Sequence, residues 1–66
     1  MSIKRAAAVA MAKNGVNQIE LCKRLGLKQP TVSRQLNKEH PSLAFIEMMA
    51  NEFGMRLSEF FALGED

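Results

Sequence analysis

The sequence predicts an all-α fold of five short helices, and three observations predict it. Almost no stretch alternates apolar and polar residues with the β-branched types that strands favour. Four glycines and two prolines cut the chain into segments of helical length. Within those segments apolar residues recur three and four positions apart. At 66 residues the chain is expected to be one domain, 1–66. Apolar residues make up 47% and charged residues 24%, a composition that can form a core.

Each helix has a start and a stop. Ser2 is placed to cap the first and Gly15 to end it, with Ile3, Ala7, Ala10 and Met11 on one face. The apolar run Ala6–Ala12 after Lys4 and Arg5 has the outline of a leader, but it sits at the bottom of the usual length of about 7–15 residues. A first helix is the better reading. Asn17 caps the second helix, with Glu20 three residues on as in a capping box, and Gly26 closes it. Leu21, Cys22 and Leu25 are expected inside and Ile19 partly outside. The third helix starts near Gln29 with Pro30 in its first turn, where a missing N–H costs nothing. Val32 and Leu36 face inward, and rotation by about 100° per residue puts Pro30, Arg34 and Asn37 on the opposite side. Ser42 caps a fourth helix with the stripe Leu43, Ile46, Met49, Ala50 and Phe53, ended by Gly54. A fifth runs from about Leu57 to Leu63, with Phe60 in the core. Met48, Met49 and Met55 are expected as core filler.

Charge is divided unevenly. From Met1 to Lys38 eight basic residues stand against one acid, Glu20, a balance of +7; from Glu39 to Asp66 six acids stand against Arg56, a balance of −5. A basic half suits a polyanionic partner. One Cys excludes an internal disulfide, and one His excludes a Cys/His zinc cluster, so no metal and no cofactor are expected. Cys22 reads as a small core residue. With one His, no Tyr and a single Asp at position 66, no nucleophile–base set can be assembled, and an enzyme is not expected. No segment reaches the about 20 apolar residues a membrane span needs, so the expected location is the cytoplasm, without a membrane or small-molecule partner.

Two short helices joined by a glycine turn, between Asn17 and Lys38, have the helix-turn-helix pattern. The residues in it carry a resemblance. Gly15-Val16-Asn17-Gln18, then Leu21-Cys22, Leu25-Gly26 and Val32-Ser33, resemble the DNA-binding core of the phage repressor and Cro family, the lambda-repressor-like domains. Pro41-Ser42-Leu43 and the run Ala50–Phe61 are similar to that family's fourth and fifth helices, so the likeness extends from about Ile3 to Leu63. The chain departs from the pattern in places. Cys22 replaces the usual Ala, Lys28 a common Ser or Thr cap, and Met11 and Leu36 a buried Arg–Glu pair. An apolar pair avoids desolvating two charges.

The resemblance implies five helices, sequence-specific binding to a double-stranded DNA operator, and a homodimer on a two-fold related site. It implies that Gln18 touches a phosphate, aided by helix N-terminal N–H groups. The outer face of the third helix supplies the candidates for base reading: Gln29, Pro30, Ser33, Arg34 and Asn37. Arg bonds guanine in a bidentate way, Gln bonds adenine, and Pro30 can pack on a thymine methyl. Lys28, Thr31 and Lys38 are candidate phosphate contacts, the lysines adding affinity more than discrimination. Lys4, Arg5, Lys13, Lys23 and Arg24 read as solvated charges. Phe61 and Leu63 are an apolar excess at the end of the chain and the candidate dimer surface. The expected function is a Cro-like repressor that places its third helix in the major groove, with half-sites about 34 Å apart. The alternative is a protein-interaction module on the same fold, such as the antitoxin of a toxin–antitoxin pair, its acidic helices binding a basic partner.

Overall fold

A computed structural model describes residues 2–65. They form α1 (Ile3–Asn14), α2 (Gln18–Leu25), α3 (Gln29–Asn37), α4 (Leu43–Glu52) and α5 (Leu57–Leu63), with no strand among the described residues.

Local chemistry sets most of these boundaries. Ser2 Oγ accepts the Arg5 N–H at 3.2 Å, Asn17 Oδ1 the Glu20 N–H at 2.8 Å, and Ser42 Oγ the Phe45 N–H at 3.2 Å. Each bond satisfies one of the N–H groups that a helix start leaves without a partner. At the start of α5 the Glu59 carboxylate reaches back to the Arg56 N–H at 3.0 Å. Gly26 ends α2 at φ 69°, a left-handed conformation that glycine adopts without cost. The chain then turns back so that the Leu27 N–H meets the Cys22 carbonyl at 3.0 Å.

The core lies where all five helices converge. Phe60, Leu21, Met49 and Val32 are its largest fully buried side chains, each worth about 1.5–3 kcal/mol of burial. Ala6, Ala7 and Ala10 are buried on α1, and their small side chains let α1 lie close along α5, its most extensive partner. Ile3, Met11 and Leu25 pack against the core while half-buried. Met11 and Leu36 thus stand at and in the core with no charge to desolvate.

The structure corrects the apolar pattern of α4. Its inward arc is Phe45, Ile46, Met49 and Ala50, with Phe53 half-buried below. Leu43 is 55% exposed because it sits about 90° from the centre of that arc. Met48 lies further round and is exposed, not core filler. Ile19 is 56% exposed, partly outside as its place on α2 leads one to expect. The capping box at Asn17 forms by half: Glu20 turns away from the helix start and bonds Arg24 at 3.2 Å.

Candidate nucleic-acid interface

α2 and α3 are joined by Gly26, Leu27 and Lys28 and pack on one another, each sending its buried side chains into the common core: Leu21 and Cys22 from α2, Val32 and Leu36 from α3. This packing fixes which face of α3 turns outward. Pro30, Arg34 and Asn37 are exposed there, Gln29 is exposed at the first position of the helix, and Thr31 and Ser33 are half-buried at the flanks. Lys28 and Lys38 stand exposed at the two ends of the helix. No acidic residue occurs from Leu21 to Lys38. Gln18 is half-buried at the first position of α2, where the leading N–H groups have no intrahelical acceptor.

The two ends of α3 are held differently. Lys28 occupies the cap position without a side-chain bond. At the other end Asn37 is engaged at both ends of its amide: its Oδ1 accepts Lys4 Nζ at 3.0 Å, and its Nδ2 donates to the Ser33 carbonyl at 2.9 Å and Ser33 Oγ at 3.5 Å. Asn37 therefore reaches a base only by giving up one of these bonds. Gln35 Oε1 accepts the Ser42 N–H at 3.2 Å and ties α3 to the start of α4.

Among the basic residues read as solvated charges, Lys4 and Arg24 take part in bonds across the fold. Lys4 bonds Asn37, and Arg24 pairs with Glu20 at 3.2 Å and Glu52 at 3.8 Å, linking α2 to α4. An open groove of about 700 Å³ lies beside the end of α3, lined among others by Lys4, Asn37, Lys38, Glu39, His40 and Phe61. Phe61 and Leu63 are half-buried and packed against the core. The large apolar side chains most open to solvent are instead Ile19, Leu43 and Met48. Gln35 and Lys4 were missed by sequence reasoning, since nothing in the local pattern of either names its partner.

A family model, that of the Cro/C1-type HTH DNA-binding domain, matches residues 8–66. The chain belongs to the Cro/C1-type helix-turn-helix family. No curated protein and no solved structure matches it closely enough to count as a relative. Membership makes this a DNA-binding domain of the kind found in transcription regulators, and the all-helical order α1 to α5 fits a Cro/C1-type domain. The match begins at Ala8, so Lys4 lies outside the segment that the family model describes. No described helix is long and apolar enough to cross a membrane.

Proposed function

We propose that this Cro/C1-type domain is a sequence-specific repressor that binds an operator by laying α3 in the major groove, with α2 crossing the backbone. The observation that carries this reading is the outer face of α3: Pro30 and Arg34 are exposed one turn apart, Gln29 is exposed at the start of the helix, and no acid stands on the helix or on the turn before it. In this reading Gln29, Pro30, Ser33 and Arg34 meet base edges, with Asn37 at the end of the row. Gln18, Lys28, Thr31 and Lys38 meet phosphates. A homodimer formed through Phe61 and Leu63 on α5 sets two copies of α3 on half-sites about 34 Å apart. Occupying a promoter is then enough to repress.

The test is selection from random duplex DNA, followed by titration of the enriched site against salt. A palindrome with half-sites one helical turn apart is expected, with a salt slope that counts the phosphate contacts. Arg34→Ala is expected to lose about 1–3 kcal/mol at one operator position. Lys38→Ala is expected to weaken selected and random DNA alike and to lower the salt slope by about one. Equal losses on both DNAs for Arg34→Ala would remove base reading from α3. If selection enriches nothing, the reading as a specific regulator falls, and a protein partner for the acidic helices becomes the function to pursue.

A further inference from the structure

We propose that Lys4 is a positioning residue for the DNA-reading surface: it acts through Asn37 on Ser33 and does not itself bind the DNA backbone. The inference rests on the reading of α3 as the recognition helix. Lys4 sits in the first turn of α1, and Asn37 is the last residue of α3, 33 positions away. The Lys4 ammonium donates to Asn37 Oδ1 at 3.0 Å. That bond leaves the Asn37 amide only one orientation, with Nδ2 turned back along the helix. There it donates to the Ser33 carbonyl at 2.9 Å and lies 3.5 Å from Ser33 Oγ. Ser33 stands next to Arg34, so the chain Lys4–Asn37–Ser33 ends beside the base-reading candidates.

Two further features point the same way. A cation at the carboxyl end of a helix is favoured by the helix dipole, and α3 has no glycine there to close it: Lys38 leaves in an extended conformation. Side chains that meet bases discriminate only when their geometry is fixed by a supporting set of bonds, and here α1 supplies that support across the domain.

The experiment measures Lys4→Met and Lys4→Arg against the selected operator and against a random-sequence duplex of equal length, each over a salt series, with thermal unfolding of every variant. Lys4→Met keeps the length of the side chain and removes the donor. The expected result is an increase of about three- to tenfold in Kd for the operator, little change on random DNA, an unchanged salt slope, and recovery with Lys4→Arg. On an Asn37→Ala background, Lys4→Met is expected to have no additional effect. Equal loss on both DNAs with the salt slope lower by about one would make Lys4 a phosphate contact and overturn the proposal. No loss on either DNA would overturn it as well. Arg34→Ala is measured alongside. If it discriminates between the two DNAs while Lys4→Met does not, α3 still reads bases and only the role of Lys4 falls. If Arg34→Ala loses equally on both, the reading of α3 falls and takes the role of Lys4 with it.

Discussion

α2 and α3 belong to one motif and pack against each other, yet their ends are held in opposite ways. α2 carries its own fastenings, Asn17 at the start and Gly26 at the end, each supplied by the residue next to the helix. α3 has neither. The N–H groups of Thr31 and Val32 share the Lys28 carbonyl at 3.0 and 3.2 Å, and the Lys28 side chain makes no cap. Its far end is tied by Asn37 to Lys4 and by Gln35 to Ser42. The scaffold helix is thus specified by its neighbours in sequence, and the exposed helix by the rest of the domain. A cap is satisfied by its own helix, whereas a lysine at the same place stays available to a ligand. The cost is an end that only tertiary contacts define.

This contrast can be broken at chosen points. The largest effect is expected for Gly26→Ala. Nothing lies within 4 Å of an added Cβ, so the loss is that of backbone strain at φ 69°, about 1–2 kcal/mol by urea denaturation. A much greater loss would mean that the turn is packed more tightly than these distances show. Asn17→Ala is expected to cost about 1 kcal/mol by the same measurement. The smallest change runs the other way: Lys28→Ser gives α3 the cap it lacks and is expected to add about 0.5–1 kcal/mol. The same variant should weaken binding to random duplex and reduce its salt slope by about one. If stability does not rise, tertiary contacts already hold the start of α3 as firmly as a cap can.

The same contrast explains how much was legible in the sequence. Ser2, Asn17, Ser42, Gly15, Gly26 and Gly54 act within a turn of the helix they bound, so the ends of α1, α2 and α4 could be placed from local pattern. The outward face of α3 followed from the burial of Val32 and Leu36 one turn apart. Leu43 and Met48 were misplaced because helical spacing marks an apolar stripe but not where its edge meets solvent. Phe45 went unnoticed for the same reason. The Lys4–Asn37 and Gln35–Ser42 bonds were not legible, since neither residue type announces a partner and the first pair is separated by half the chain. Glu20 shows the limit of a local rule: a carboxylate in the capping position found Arg24, one turn along, a better partner than the backbone behind it.

One contact joins the two extremities of the described chain. The Ser2 N–H donates to the Gly64 carbonyl at 3.2 Å, and Gly64 comes so close to the Ser2 carbonyl that a side chain there would collide with it. Topologically the domain is a ring with one small gap. Bridging that gap with a short covalent linker would leave the native backbone where it is and remove freedom only from the unfolded chain. The chain-entropy model values that restriction at on the order of 4 kcal/mol for a loop of this size.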